Sequence, residues 1–361
     1  MGKRTFFALA ATFAAAMSVG QPAQAQASLW EVAAMVAASV ATGGAAEAGL
    51  GGLDPTVVAG AAAIVAGAGT AMSLSSEALS CPVFVGSGTL LGEDACLWSK
   101  VSGQYTNEFS SDTRGFVWRV GGQAALAPGW YLGGTLATGT GWQTAAGGLI
   151  NGRLQTVDGS VALKWLSGPW LLAGTLGFTT TTNRATRVSV GNAIVQADAA
   201  VYKGSAGLRA AYDAAFDGWY LRPRADVSLN YVNVPGFQES GPSPTAVVYY
   251  GRSQVGVTLT PALEVGGRID LGEQTILRPY LVAGAMFRTD NKWTVQGTFA
   301  GAAAAFGSFA NYYSSPAVIG LFEGGLQLYD QHGIEFRAEY RLATAYSYLS
   351  QTASLRLGWH F

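Results

Sequence analysis

The sequence predicts an all-β fold: a twelve-stranded antiparallel transmembrane β-barrel with a short, partly helical N-terminal segment. Charged residues make up 12% of the chain, about half of their share in typical soluble domains. The 49 glycines are about twice the ordinary usage. After Cys96 no apolar run reaches the roughly 20 residues that a transmembrane helix needs. Low charge without such runs is typical of membrane barrels, because only alternate strand residues face lipid.

Residues 1–27 have the features of a secretory signal peptide. Two basic residues precede an apolar stretch from Phe6 to Val19, and small residues then offer cleavage sites after Ala25 or Ala27. A first transmembrane helix is the alternative, but the stretch is too short for one and no stop-transfer flank follows it. We therefore expect export through the inner membrane, removal of the signal peptide and delivery to the cell outer membrane.

Residues 28–95 form an Ala- and Gly-rich segment with six acidic side chains and no basic one. Helices are expected at 28–41 and 55–74, the second with Asp54 as its N-cap. A transmembrane helix in the second stretch is disfavoured, because alanine and glycine supply little apolar area. We interpret the segment as a vestigial passenger or a pore plug.

Cys81 and Cys96 are the two cysteines of the chain. In an exported protein such a pair usually closes a disulfide, and a loop of about 15 residues contributes roughly 3 kcal/mol in the chain-entropy model. A metal or redox pair is the alternative, but no histidine lies near either cysteine in the sequence. We therefore expect a disulfide between Cys81 and Cys96.

Residues 96–361 alternate between strand and turn patterns. Five tight turns are expected, at 127–129, 167–169, 217–218, 272–274 and 331–333. Longer polar loops are expected near 143–153, 183–198, 235–248 and 291–315. Short and long connections therefore alternate, as periplasmic turns and outer loops do in membrane barrels. With one further strand at each end, the expected strands are 96–106, 113–126, 130–142, 154–166, 170–182, 200–216, 219–234, 249–271, 275–290, 316–329, 334–345 and 350–361.

Alternation within the strands assigns the charged side chains to the barrel lumen. A register slip of one residue would exchange the two faces of a strand, and each arginine turned to lipid would cost about 2–4 kcal/mol. The expected lumen-facing charges are Arg222, Arg224, Asp226, Glu264, Arg268, Arg278, Glu335, Arg337, Glu339 and Arg341. Aromatic residues near strand ends are expected to form an interfacial girdle, namely Trp130, Tyr131, Trp170, Trp219, Tyr220, Tyr280 and Trp359.

The last strand is amphipathic and ends on an aromatic residue. Leu355, Leu357, Trp359 and Phe361 share its apolar face. Such an ending resembles the signal that the outer-membrane barrel assembly machinery reads. The strand must also pair with the first one, so that the barrel leaves no free edge.

Several short motifs follow one another in order along residues 96–361. They are Leu97–Gly103, Val120–Gln123, Gly129–Gly133, Gly218–Pro223, Leu277–Tyr280 and Leu357–Phe361. In these motifs and their spacing the chain resembles the autotransporter β-domain of type V secretion. The resemblance implies a twelve-stranded outer-membrane barrel with a segment threaded through its pore, which helps a passenger to cross the membrane.

Two features depart from that family. A typical passenger is a long, repetitive β-solenoid, whereas only residues 28–95 are available here and they contain no such repeat. Some members cleave themselves inside the pore at an Asn pair. No asparagine occurs between residues 28 and 106, so that chemistry is not carried over to this chain.

Catalytic, cofactor and metal sites are not expected, and we predict that the protein is not an enzyme. The two histidines are His332, in an expected turn, and His360, next to the last residue. Gly251–Gly256 lacks the spacing of a nucleophile elbow. The expected partners are outer-membrane lipid and lipopolysaccharide, together with the barrel assembly machinery during biogenesis. No basic stripe indicates nucleic acid, and we expect a monomer.

The leading functional hypothesis is a passenger-poor translocator, in which the acidic segment 28–95 plugs a lumen rich in arginine. A diffusion channel is the first alternative. The second is a surface adhesin that uses aromatic side chains of the loop 291–315, although these could equally pack over the barrel mouth. The aromatic residues in question are Phe306, Phe309, Tyr312 and Tyr313. An enzymatic barrel ranks last.

Overall fold

The computed structural model describes residues 81–361, apart from 109–110, 190–191, 244, 273, 301–307 and 331. The signal peptide and the two helices expected in the N-terminal segment lie outside the described residues. Within the described part of the chain no helix is long and apolar enough to cross a bilayer.

Strands account for most of the described residues. In chain order they are β1 (Pro82–Phe84), β2 (Leu91–Glu93), β3 (Cys96–Glu108), β4 (Ser111–Ala127), β5 (Trp130–Ala145), β6 (Ile150–Ser167), β7 (Trp170–Val188), β8 (Ile194–Tyr212), β9 (Ala214–Ala215), β10 (Trp219–Val234), β11 (Phe237–Gln238), β12 (Val247–Tyr249), β13 (Arg252–Gly267), β14 (Ile269–Asp270), β15 (Thr275–Arg288), β16 (Lys292–Phe299), β17 (Ser308–Ser314), β18 (Val318–Asp330), β19 (Ile334–Ala345) and β20 (Tyr348–His360). A 3-10 turn at Ala146–Gly148 joins β5 to β6.

Twelve long strands close into one antiparallel barrel, which confirms the predicted fold class. Their order around the barrel is β3, β4, β5, β6, β7, β8, β10, β13, β15, β18, β19 and β20. The last strand pairs with the first over its whole length, from Tyr348 opposite Glu108 to His360 opposite Cys96. Closure leaves the barrel no unpaired edge. Since Cys96 and His360 lie at the end that carries the tight turns, we assign this end to the periplasm.

The outer ends of the strands are longer than the sequence pattern indicated. The prediction of loops near 143–153 and 183–198 is wrong. Through most of the first range β5 pairs with β6, and through most of the second β7 pairs with β8. Their outermost side chains are largely polar, so apolar alternation ends there while the backbone ladder does not. Hydrophobic periodicity reports only the part of a strand that faces lipid.

Large apolar side chains cover the outside of the barrel. Leu136, Leu176 and Leu208 are each more than 60% exposed and point away from the lumen. Four of the tryptophans assigned to the girdle, at 130, 170, 219 and 359, also lie on this outer surface. The assignment is wrong for Tyr220 and Tyr280, which are buried inside the barrel. Both follow a residue on the outer face, and neighbouring strand residues point to opposite sides of the wall.

Pro261 sits inside β13 and interrupts one of its two ladders. It lies opposite Ala225 of β10 in a continuous register. On the other side the pairing with β15 lapses between Leu259 and Ala262. Proline has no N–H to donate, so the wall tolerates it where the ladder is already broken.

A second sheet lies at the outer end of the barrel. It contains β11, β12, β16 and β17 in that order, and we call it the outer sheet. Most of the loop expected at 291–315 is therefore a hairpin of β16 and β17. Phe309 and Tyr313 pack into the hydrophobic clusters of this sheet, whereas Tyr312 is 78% exposed. Phe306 lies outside the described residues.

Candidate functional site

The candidate site is the lumen, whose wall carries charged side chains in contact with one another. Arg222 lies 2.7 Å from Asp213, Arg209 lies 2.6 Å from Asp226, and Arg341 lies 3.0 Å from Glu323. The ten charges expected from the sequence are all on the inner face or at its periplasmic rim. They are Arg222, Arg224, Asp226, Glu264, Arg268, Arg278, Glu335, Arg337, Glu339 and Arg341.

Glu264 is the centre of one buried cluster. The hydroxyl of Tyr220 donates to its Oε1 at 2.6 Å, and Arg278 donates to the same atom at 2.5 Å. Arg278 also donates to Tyr220 at 2.8 Å and to Gln327 at 2.7 Å. A β-carbon at Gly266 would overlap the Tyr220 ring. The tyrosine therefore fits into the lumen only because that wall position is glycine.

Glu335 is the centre of a second cluster. It is fully buried, and its carboxylate lies 2.9 Å from Arg337, 3.2 Å from Arg356 and 2.8 Å from Nε2 of His360. Arg356 in turn stacks over the Trp98 ring at 4.7 Å. Charges that are buried in the barrel wall, away from water, are tolerated only when they are paired in this way.

Several charged partners were missed by the sequence interpretation. They are Lys100, Arg119, Asp158, Lys164, Arg209, Asp213, Glu323 and Arg356. All but Asp213, which lies between β8 and β9, occupy inward positions of their strands, so the alternation rule that located the other charges could have found them. Lys100, for example, follows Cys96 and Trp98 at every second position and lies 2.8 Å from Glu339.

The short hairpin β1–β2 is attached to one wall of the barrel at its periplasmic end. Cys81, just before β1, forms a disulfide with Cys96, the first residue of β3. Glu93 of β2 lies 2.6 Å from Lys164, and Gln123 donates to Glu93 at 2.9 Å. Lys164 is fully buried. The base of the hairpin is thus fixed covalently and by a buried ion pair.

The tip of the hairpin reaches the opposite wall. The hydroxyl of Thr89 lies 2.7 Å from the carbonyl oxygen of Phe216 and 3.0 Å from that of Trp219. Arg268 donates to the carbonyl oxygen of Gly86 at 2.6 Å. These contacts are with the start of β10 and the end of β13, and β10 is six strands from β3 in a ring of twelve. The hairpin therefore crosses the periplasmic mouth from side to side, and we call it the crossbar.

Apolar packing holds the middle of the crossbar. Phe84 and Leu91 are buried in one cluster with Tyr220 and Tyr329. The N–H of Phe84 donates to the Tyr329 hydroxyl at 3.1 Å. Gln327 donates to the carbonyl oxygen of Pro82 at 3.1 Å. The N–H of Phe84 and the carbonyl oxygen of Pro82 therefore both have partners, as buried backbone requires.

The described end of the acidic segment enters the lumen as a transverse hairpin, whereas the resemblance implied a segment threaded along the pore. Its charge contacts also differ from those expected. Glu93 pairs with Lys164 rather than with an arginine, and Arg268 binds backbone carbonyls of the crossbar. The remainder of the segment, residues 28–80, lies outside the described residues.

The outer sheet packs against the inner face of the barrel wall at the other end of the lumen. Trp293 packs against Val201, Val232 and Val234, which are on the inner face of β8 and β10. Ser315, in the connection between β17 and β18, donates to Glu108 of β3 at 2.5 Å. Burial raises the pKa of the Tyr313 hydroxyl in this sheet.

The residues assigned to the barrel-assembly signal lie on the outer surface. Leu355, Leu357, Trp359 and Phe361 are all exposed, and the rings of Trp359 and Phe361 are in contact edge to face. They are therefore accessible to a protein that binds the end of β20.

Neither histidine is grouped with other side chains in the arrangement of a metal site. His332 is at the periplasmic surface, 3.5 Å from Asp330, and His360 belongs to the Glu335 cluster. In the part of the chain that the structure describes, no group of His, Cys, Asp and Glu has the arrangement of a metal site.

Comparison with known families decides what kind of barrel this is. The profile described as "Autotransporter beta-domain" matches residues 97–341. The chain belongs to the autotransporter β-domain family. It is an outer-membrane β-barrel of the autotransporter type. The match begins one residue after Cys96 and so leaves out the crossbar, which is a feature of this autotransporter barrel beyond the family profile.

Solved autotransporter domains share the fold. The translocator domain of NalP from Neisseria meningitidis superposes with a TM-score of 0.61 at 12% identity, covering 74% of this chain and 89% of that one. The β-domain of the Bordetella autotransporter BrkA gives 0.57 at 16% identity, covering 74% and 100%. The transport unit of AIDA-I from Escherichia coli gives 0.54 at 12% identity, covering 83% and 98%. Comparison with curated protein sequences finds no match.

Proposed function

We propose that this autotransporter barrel supports the translocation or surface display of its short N-terminal segment and is then kept closed by the crossbar. Export removes the signal peptide 1–27, and the C-terminal strand is read by the barrel assembly machinery. The mature protein acts as a monomer and without catalysis. Membership of the autotransporter family supports the transport role, and the crossbar supports the closed end state.

One observation carries this proposal: a covalently attached part of the chain spans the periplasmic mouth. A segment bound by surface contacts alone would leave and return, but the Cys81–Cys96 disulfide keeps the crossbar at the mouth. The buried pair of Glu93 and Lys164 adds a charged contact shielded from water. Removing one partner of such a pair costs about 3–5 kcal/mol. An open diffusion channel would have no use for either feature.

The location of the N-terminal segment is tested with epitope tags on intact cells. A tag after Ala27 should bind antibody and be removed by external protease if the segment is displayed. A tag at Tyr346, which lies fully exposed in the outer β19–β20 turn, is the positive control. A tag between Asp217 and Gly218, in a periplasmic turn, is the negative control. Protection of the Ala27 tag in cells that pass both controls would contradict display.

The closure of the pore is tested by conductance in planar bilayers. Wild-type barrel should conduct poorly, and a variant that lacks residues 81–94 and carries Cys96→Ser should conduct several times more. Equal conductance would show that the crossbar does not close the mouth. Mass spectrometry of the mature protein checks the signal peptide, and we expect the chain to begin at Gln26 or Ser28.

A further inference from the structure

A row of basic and aromatic side chains crosses the outside of the barrel near its outer end. The cross-strand register places Tyr105 opposite Arg114, Arg114 opposite Trp142, Trp142 opposite Arg153, and Arg153 opposite Arg184. These five residues come from the consecutive strands β3 to β7, and we call them the outward basic row. All three arginines are exposed. The row is independent of the lumen and of the crossbar.

The row brings like charges together, and among its arginines only Arg184 has an acidic partner within the described residues. Arg153 and Arg184 face each other directly, and like charges opposite each other in a sheet are destabilising. Arg184 pairs with Asp198 at 2.9 Å, but that pair is 80% and 74% exposed, so water screens most of its attraction. Arg114 and Arg153 form no ion pair with any residue from the described ranges. An anion between Arg153 and Arg184 would relieve their repulsion.

The other contacts of these side chains leave the positive charge of the arginines available to an anion. Arg114 lies over the Tyr105 ring at 5.6 Å. The nearby Asp112 accepts hydrogen bonds from Tyr105 at 2.6 Å and from Asn107 at 2.9 Å. A surface cavity of about 390 Å³ lies beside Arg153 and Arg184 and is also lined by Gln155, Thr182 and Asp198, the acidic partner of Arg184. Guanidinium groups with hydroxyl and amide neighbours are the donors that bind phosphate oxygens.

An apolar groove lies on the same strands, towards the periplasm. It has a volume of about 1170 Å³ and runs from Leu136, Val161 and Phe178 to Leu357 and Trp359 near the periplasmic end of β20. It begins six residues from the row on each of β5, β6 and β7 when counted along the strand, which is about 20 Å. Gly134 helps to make it concave, since a side chain at this outward position would fill the groove. The same wall thus offers an anion site above and an apolar site below.

We propose that this wall binds a phosphorylated glycolipid of the outer leaflet. Its phosphate groups lie against Arg114, Arg153 and Arg184, and its acyl chains run along the wall into the outer end of the groove. A soluble anion would use only the row, and an uncharged lipid would use only the groove. The proposal rests on the position of the barrel in the outer membrane and is independent of whether the N-terminal segment is translocated.

Native mass spectrometry of the purified full-length barrel tests the proposal, with phosphorylated lipid A as the probe. Near a membrane surface each arginine attracts anionic lipid. The double variant Arg153→Gln and Arg184→Gln should therefore bind lipid A roughly tenfold or more weakly than wild type. The matched control is Arg252→Gln with Lys292→Gln, which removes the same charge from exposed positions on the outer side, and it should bind like wild type.

Two further probes separate the chemistry of the ligand. Dephosphorylated lipid A should bind wild type as weakly as the intact lipid binds the double variant. A large excess of inorganic phosphate should not displace lipid A, because phosphate cannot use the groove. Equal binding of lipid A by wild type and the double variant would overturn the proposal. Displacement by inorganic phosphate would overturn it as well, since the row would then be an anion site without lipid selectivity.

A separate variant tests whether the groove contributes to lipid binding. Gly134→Leu should weaken binding of full-length lipid A several-fold and leave binding of a short-chain phosphorylated analogue unchanged. An unchanged affinity for the full-length lipid would remove the groove from the proposed site. Heat-dependent migration on gels, compared with wild type, establishes that each variant is folded.

Discussion

At the residue scale, the burial of a charge decides how much it matters to the barrel. Glu335 is fully buried and contacts Arg337, Arg356 and His360. Its carboxylate is shielded from solvent by these partners. The pair Arg184–Asp198 has similar contact distances but is mostly exposed. Exposed pairs contribute about 0–1 kcal/mol, whereas breaking a buried one costs about 3–5 kcal/mol.

The first prediction compares these two sites. Glu335→Ala should lower the free energy of unfolding by about 3–5 kcal/mol, because it removes the carboxylate that the buried Arg356 and Arg337 share, although Arg337 keeps its contact with Glu339 at 3.7 Å. The matched variant Asp198→Asn should change it by at most about 1 kcal/mol. Urea unfolding of the refolded barrel in detergent measures both. Similar effects of the two changes would mean that water reaches Glu335.

At the scale of the elements, the crossbar shields its own covalent link. Cys81 and Cys96 are both buried, together with Trp98. The sulfur atoms are covered on one side by the barrel wall and on the other by the hairpin that they attach. A reductant can therefore reach them only after the hairpin leaves the wall.

The second prediction concerns access to this disulfide. In the folded barrel a thiol reductant should leave Cys81–Cys96 intact, while in urea it should reduce the pair rapidly. Lys164→Ala removes the partner of Glu93, loosens the crossbar and should make reduction of the folded protein faster. Lys292→Ala, at an exposed position, is the control. Thiol labelling followed by a gel shift reports the reduced fraction, and rapid reduction of folded wild type would contradict the burial.

The outer sheet is a second element that depends on a few apolar contacts. Trp293→Ala should detach the sheet from Val201 and Val232, because truncating a buried tryptophan costs about 3–5 kcal/mol. The third prediction is that limited proteolysis then cuts residues 291–315 while the barrel strands stay protected. Tyr312→Ala, at an exposed position, should leave the cleavage pattern unchanged. Loss of the whole barrel in Trp293→Ala would mean that the sheet is part of the barrel core.

At the scale of the whole molecule, closure of the barrel and its assembly into the outer membrane depend on different groups. The pairing of β20 with β3 closes the wall through backbone hydrogen bonds. Phe361 lies beyond this pairing, is exposed, and has a ring contact with Trp359. Its side chain therefore contributes little to the stability of the finished barrel and is available to an assembly factor.

The fourth prediction follows from this separation. Deletion of Phe361 should lower the amount of barrel inserted into the outer membrane of living cells several-fold. Refolding of the same variant in detergent, and its urea midpoint, should match wild type. Heat-dependent gel migration measures folded protein in both settings. A variant that refolds poorly in detergent would show that Phe361 is structural.

Much of the barrel could be predicted from the sequence because lipid imposes a simple rule on its wall. Alternation of apolar and polar residues placed the strands, their register and the inward direction of charges such as Arg222 and Glu264. The same rule does not predict the structure of segments that do not face lipid. It therefore misjudged the outer extensions of β5 to β8 and the hairpin of β16 and β17.

By itself the sequence determined the twelve-stranded wall, its lumenal charges and the cysteine pair, since each of these depends on neighbouring or alternating residues. Only the tertiary structure decided which charges pair, that the β1–β2 hairpin crosses the mouth, and that Arg114, Arg153 and Arg184 form one row. Those arrangements join residues from different strands, several of which are far apart in the chain. They depend on how the strands are staggered around the closed cylinder, which local patterns do not specify.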